Sequence, residues 1–275
     1  MQVTGLKDII QIEAGAKHGV ALRKDGTVWA WGNREDGAIG DGQPKTLRPL
    51  KAIGPIQVPG LQGITQIAAT RKHNLALRSD GKVMAWGLNH DGQLGNGTRD
   101  NGWTPAEVTG LDRVVAIAAG VAGFGGNSFS GALRDDGTVW TWGSGVASVM
   151  GNGTPNMSPD DPGGRNLLPL QVPGLAKVKA LSLGYGHAAA LLGDGTLRMW
   201  GHNGYGQIGV GPGSEYYPKP VMPKGITNVA AVYLGSMRSL AVRTDGSLWI
   251  WGVGSSGGQG VVGRNLRVPT LLELP

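Results

Sequence analysis

Cysteine is absent from this chain. Disulfides, thiolate metal sites and cysteine nucleophiles are excluded with it. Phenylalanine is scarce, with two residues in 275. No window approaches the ~18 uncharged apolar residues of a spanning helix, so membrane insertion is not expected. No long run of like charges occurs, and the basic residues are spread along the chain. The start, Met1 to Ile10, has no basic region leading into an apolar run. A secretory signal is therefore not expected, and the chain reads as soluble with its compartment open. What is abundant is glycine, at 50 residues, together with nine tryptophans. Average glycine usage is only ~7%. There is no Gly-x-y period, so collagen is excluded. With 40% hydrophobic residues the chain can bury a core. The net charge of +6 permits an acidic partner without requiring one.

One string recurs five times: Asp-Gly, a β-rich stretch, then Trp-Gly. The Asp-Gly pairs stand at 25–26, 80–81, 136–137, 194–195 and 245–246, between 51 and 58 residues apart. Copies that close together read as stacked supersecondary units within one domain over 1–275. An apolar strand precedes each Asp-Gly, as in Val20-Ala21-Leu22 and Leu75-Ala76-Leu77. Asp-Gly between such strands signals a hairpin with a primed turn. Upstream lies another strand, such as Ile64 to Ala69. A Pro-led segment suited to a sheet edge comes before it, such as Pro55 to Leu61. Each unit thus holds about four short strands, which is one propeller blade. The fold expected is all-β, a propeller of five four-stranded blades. The segment Gln2 to Leu6 resembles Glu107 to Leu111, and the tail Val268 to Leu272 resembles Leu168 to Val172. Both ends supply the same strand region, which favours a closed five-bladed ring over a part of a larger one.

The repeat also carries Ala14-Gly15, His18, Ala21-Leu22, Asp25-Gly26 and Trp31-Gly32-Asn33. Copies two and four extend it through Asn89 to Gly92-Gln93-Leu94-Gly95 and through Asn203 to Gly206-Gln207-Ile208-Gly209. These motifs resemble the regulator of chromosome condensation repeat family over essentially the whole chain. The resemblance implies a β-propeller, usually of seven blades, where five copies are found here. It says little about function, which lives in sites grafted on the fold. Relatives act in guanine nucleotide exchange on a small GTPase, chromatin binding, β-lactamase inhibition and ultraviolet sensing. The plant photoreceptor's G-W-R-H-T motif is missing; Gly102-Trp103-Thr104-Pro105 stands nearest to it.

Candidate sites divide between the two ends of the blades. The loops after each Trp-Gly carry Arg34, Trp103, Arg165, Tyr205, Tyr216, Tyr217 and Arg264. Such residues dominate interface hot spots. They are expected to project from one end as a partner-binding face, with Tyr216-Tyr217 an exposed pair. At the opposite end, Arg23, Arg78, Arg134 and Arg243 precede the turn aspartates as a basic ring that local pairing could neutralise. His18, His73 and His187 recur seven residues before those aspartates. Equivalent positions on separate blades lie too far apart to share one metal, so they read as structural. Gly204 to Gly209 satisfies G-x-G-x-x-G, but it is the repeat's own glycine-rich loop, so no cofactor is expected. Gly254 to Gly258 satisfies G-x-S-x-G with no histidine to follow. Asp160-Asp161 sits in a Pro/Gly-rich loop and lacks a fixed separation. No metal or catalytic constellation results. The function expected is a non-catalytic scaffold for a protein partner. Nucleotide exchange or chromatin binding stands as one alternative, and carbohydrate binding as another. Nucleic acid and glycan remain open as ligands.

Overall fold

The computed structural model describes residues 3–43, 52–123, 127–155, 157–158, 164–254 and 265–272. Twenty strands form five antiparallel sheets of four. Blade 1 comprises β1 (Ile9–Ala14), β2 (His18–Arg23), β3 (Val28–Gly32) and β4 (Ile53–Gln57). Blade 2 runs from β5 (Ile64–Ala69) through β6 (His73–Arg78) and β7 (Val83–Gly87) to β8 (Gly102–Glu107). Blade 3 holds β9 (Val114–Val121), β10 (Ser128–Arg134), β11 (Val139–Ser144) and β12 (Arg165–Gln171). Blade 4 holds β13 (Val178–Leu183), β14 (His187–Leu192), β15 (Leu197–His202) and β16 (Tyr216–Val221). Blade 5 holds β17 (Val229–Leu234), β18 (Arg238–Arg243), β19 (Leu248–Gly252) and β20 (Leu266–Leu271). The first strands of successive blades pack along one another and form the inner edge. The Pro-led fourth strands form the outer edge, where a missing N–H costs nothing. Each Pro-led strand closes the blade that precedes it in the chain; it does not open the next one.

The Asp-Gly hairpin is not a primed turn. The N–H of Gly26 donates to the Arg23 carbonyl at 2.9 Å, and that of Arg23 to the Thr27 carbonyl at 2.9 Å. Gly26 alone takes a positive φ, 79°, while Asp25 does not. This is a type I turn followed by a glycine bulge. The aspartate has a different role from the one expected. Its Oδ1 accepts the Thr27 N–H at 3.0 Å and the Thr27 hydroxyl at 2.6 Å. Asp136 and Asp245 do the same with Thr138 and Ser247.

Four apolar clusters join the blades, one at each junction. Between blades 2 and 3, Leu75, Val83 and Leu94 meet Leu111, Ile117 and Trp142. Blades 2, 3 and 4 are apolar on both faces because each of their faces meets a neighbour. Among the described residues no cluster joins blade 5 to blade 1, so they do not show the preferred five-bladed closure. The exposures agree. Ile67, Ile117 and Val232 are at most 8% exposed, and Ile12 at the equivalent place in blade 1 is 64% exposed. Trp86, Trp142, Trp200 and Trp251 are fully buried, whereas Trp31 is only partly so. On the far side of blade 5, Leu240, Val242, Leu248 and Ile250 are half-buried. Their counterparts Val20, Leu22, Val28 and Ala30 are fully buried. The tail forms β20 inside blade 5, which leaves no strand for it to complete in blade 1.

Candidate functional site

Polar staples reinforce the apolar junctions. The indole N–H groups of Trp86, Trp142, Trp200 and Trp251 donate to the carbonyls of Ala38, Gln93, Val149 and Gln207 in the preceding blade. The repeated histidines complete three of the four junctions. His73 Nε2 lies 2.9 Å from Ser130 Oγ, which itself donates to the Gln93 carbonyl at 2.8 Å. His187 reaches Ser239 and His18 reaches Asn74 in the same way. Where copy three has Phe129, the facing residue is Ala188, and the contact is apolar. Burial pulls His73 down to about 3 and His187 to about 4, so both are neutral at pH 7. These histidines join blades. Among the described residues no group of three His, Asp or Glu side chains is placed to bind a metal.

The expected basic ring is internally paired. Arg23, Arg78 and Arg243 each bridge to the aspartate two residues on, and Arg134 bridges to Asp112. Arg23, Arg134 and Arg243 also lie 5.7 Å over the rings of Trp29, Trp140 and Trp249. The tryptophan of the hairpin thus acts as a platform for its own arginine.

Two of the loop-face candidates are likewise engaged. Arg34 Nε donates to Asp41 at 2.6 Å. Arg165 lies on β12, not in a loop, and its Nε donates to Asp91 at 3.3 Å. Asp91 is fully buried and also accepts the Ser128 N–H at 3.1 Å. Burial opposes its charge. His90, the Ser128 N–H and Arg165 outweigh burial and hold the carboxyl below its usual range. Asp91 therefore clamps blade 2 to blade 3. Trp103 lies on β8 and Tyr217 on β16, both half-buried on the outer edge. Tyr216 and Tyr217 are not the exposed loop pair expected: their rings pack toward the clusters on either side of blade 4. Arg264, Asp160, Asp161 and residues 255–258 of the G-x-S-x-G match lie outside the described residues.

The structure gathers Tyr205 and Tyr216 around His202, a residue that the repeat pattern does not flag. Ring centroids lie 5.9 Å (Tyr205) and 5.3 Å (Tyr216) from the imidazole. The loop from β15 to β16 is built by Asn203. Its Oδ1 accepts the Ile208 N–H at 3.0 Å and its amide donates to the Ser214 carbonyl at 3.2 Å. Asn89 organises the loop of blade 2 in the same fashion. Gln207 Oε1 accepts the Tyr205 N–H at 3.0 Å, so its amide nitrogen faces His202 Nδ1 at 2.6 Å. That assigns the proton of the neutral imidazole to Nε2, which points to Glu215 at 3.5 Å. Burial lowers His202, and Glu215 partly offsets this. The repeat's own glutamine thus orients a histidine peculiar to blade 4. In blade 2 the same position is Leu88, and the amide nitrogen of Gln93 has no partner.

His202, Glu215 and Tyr216 form one wall of a hollow of about 310 Å³. Tyr185 and Met237, from the inner turns of blades 4 and 5, and Val146, after the third Trp-Gly, also line it, with Gly123, Ala147 and Gly186. Backbone bonds tie the inner turns together: Gly186 N–H to the Val121 carbonyl at 2.6 Å, and Tyr185 N–H to the Gly235 carbonyl at 3.2 Å. The hollow opens at the loop-bearing end, opposite the Asp-Gly turns.

Comparison with known proteins agrees with this architecture. The model of the regulator of chromosome condensation (RCC1) repeat matches residues 25–77, 80–122 and 136–191. The ultraviolet-B receptor UVR8 of Arabidopsis thaliana is 30% identical, over 94% of this chain and 56% of that protein. Human E3 ubiquitin-protein ligase HERC2 is 28% identical over 99% of this chain and 6% of its own length. The chain therefore spans little more than half of one relative and a small part of the other. The structure of human WBSCR16 superposes with a TM-score of 0.80, over 97% of this chain and 67% of that one, at 22% identity. That of Prp20p from Saccharomyces cerevisiae, studied with its binding to Gsp1p and histones, superposes at 0.71 over 97% and 77%. With five repeats, four-stranded blades and the Trp, His and Asn staples all in place, the chain belongs to the RCC1 repeat family.

Proposed function

We propose that this chain is a non-catalytic scaffold that docks a protein partner on its loop-bearing end, around Tyr205, Tyr216 and the hollow beside them. The observation that carries this reading is the hollow itself. It draws on loops of blades 3, 4 and 5 that backbone bonds hold in a fixed relation. A preorganised surface loses little entropy on binding. The opposite end supports binding less well, because its arginines are paired with aspartates. Trp103 and Tyr217 widen the same reading to the outer edge. Arg34 and Arg165 would act there mainly by holding the loops.

Nucleotide exchange or chromatin binding is the second reading. It rests on the likeness to Prp20p, which was studied with Gsp1p and histones. Carbohydrate binding has less support, because the loop aromatics are not repeated between blades.

The test is affinity capture with three baits: wild type, Tyr205→Ala/Glu215→Arg, and Arg78→Glu/Lys82→Glu. A protein held by wild type and the third bait and lost by the second supports the reading. Loss from the third bait alone would overturn it. So would a ligand that proves to be nucleic acid, marked by a steep fall of affinity with salt.

A further inference from the structure

The hollow at the blade 3–5 end has a chemistry of its own. Among the described residues that line it Glu215 is the one carboxylate side chain, 62% exposed. Two tyrosines, Tyr185 and Tyr216, line it, with Val146 and Met237 beneath. Among the described residues no lysine or arginine lines it, although the chain carries a net charge of +6. His202 is held neutral, with its Nε2–H turned to the Glu215 carboxylate. Arg71 acts on the Tyr185 hydroxyl from outside the lining. A volume of about 310 Å³ stands at the lower edge of ligand pockets, which span roughly 300–1,000 Å³. That suits one long side chain better than a cofactor.

From this we infer that the hollow is a receptor for a cationic side chain, an arginine or lysine presented by the docking partner. The aliphatic stem lies against Val146 and Met237, as long basic side chains do on apolar surface. The cationic head meets the Glu215 carboxylate and the tyrosine rings, which attract it through their quadrupoles. Glu215 is pre-set for this. The imidazole Nε2–H and the Tyr216 hydroxyl lie beside the carboxylate and orient it without cancelling its charge. Among the described lining residues an anionic group finds no cation to meet it, Arg71 standing outside the lining, and it would face the Glu215 carboxylate. This inference rests on the loop-end docking reading above and names the chemistry of its central contact.

The probe is N-acetyl-arginine amide, with butylurea as a neutral control of similar shape. Each is titrated into the whole chain while the aromatic resonances of Tyr185, Tyr216 and His202 are followed by NMR. The expected result is a saturable shift of those resonances with the arginine derivative and none with butylurea. Glu215→Gln, at an exposed position, should fold like wild type and weaken binding at least tenfold. Tyr216→Phe keeps the ring and should change affinity less than threefold. Equal binding of both probes, equal affinity in Glu215→Gln, or no shift in wild type would each overturn the inference. The docking reading fails separately. If a captured partner still covers the loop end while the arginine probe does not bind, docking stands and the cationic contact falls. If the partner covers the Asp-Gly end, both fall.

Discussion

The indole nitrogen of Trp142 lies 2.9 Å from the carbonyl oxygen of Gln93 in the preceding blade. The neighbouring Gly95 explains why the repeat ends its loop in glycine. Gly95 has φ of 64°, and a Cβ there would stand 2.8 Å from the Trp142 Nε1. The indole needs that close approach to reach the carbonyl. Gly95→Ala meets both left-handed strain and a clash. It should cost more than ~1 kcal/mol, by the usual cost of alanine where φ is positive. Trp142→Phe should cost about 1–2 kcal/mol, mostly for the lost hydrogen bond, since Ser130 still donates to the same carbonyl. Urea unfolding of both variants checks this. Wild-type stability in Gly95→Ala would contradict the packing described.

The leading face of blade 1 predicts an asymmetry between equivalent residues. Ile12→Asp should shift stability by no more than ~0.5 kcal/mol, as at an ordinary surface site. Ile67→Ala, at the same place in blade 2, should cost about 2–5 kcal/mol. Thermal melts of the two variants decide the matter. Strong destabilisation by Ile12→Asp would mean that something covers this face in solution, either the chain's own last blade or another copy.

Acidification should loosen the blade junctions. His73 and His187 are buried and neutral, with values near 3 and 4, against ~6.5 in an unfolded chain. Between those limits the unfolded state binds more protons, so stability rises with pH. The full contribution is present above pH 6.5 and is lost as pH falls toward 4. Each histidine gives up to ~1.4 kcal/mol per pH unit, or about 4 kcal/mol for the pair between pH 7.5 and 5. Urea midpoints at pH 7.5 and 5.0 measure the fall. The double variant His73→Gln/His187→Gln should show a much smaller one.

Much of this fold is legible in the chain because it repeats. Strand pairs, the Pro-led outer edge and the buried tryptophan all follow from a pattern read five times. The turn type was missed because Asp-Gly also serves a type I turn with a glycine bulge, in which the aspartate binds Thr27 instead of taking a positive φ itself. Arg165 read as a loop residue because its partner, Asp91, is 74 positions away. Tyr216-Tyr217-Pro218 looked like a loop, yet as the start of an outer strand it pairs with His202 and Gly201. The hollow was least legible. His202 ends β15, Glu215 lies in the loop that follows, and Tyr185, Val146 and Met237 come from three other connections; none of them recurs in the repeat. The one available signal was that His202 directly follows the fourth Trp-Gly, where blade 2 has Leu88.

Arg165 should prove to be a structural residue before it is a contact residue. It neutralises a carboxylate that is fully buried between blades. Arg165→Ala should cost about 1–3 kcal/mol, in the range for hydrogen bonds to charged groups. His90→Ala should cost less, because His90 is 46% exposed. Differential scanning calorimetry compares them. If Arg165→Ala melts like wild type and loses only partner binding, its assignment to the Asp91 clamp is wrong.

Docking on the loop-bearing end is tested most directly by the hydrogen-exchange footprint of the captured partner on the whole chain. The account predicts slowed exchange in peptides covering residues 203–217 and 145–149, with no change across the Asp-Gly turns at 23–28 and 78–83. Protection confined to those turns would contradict it.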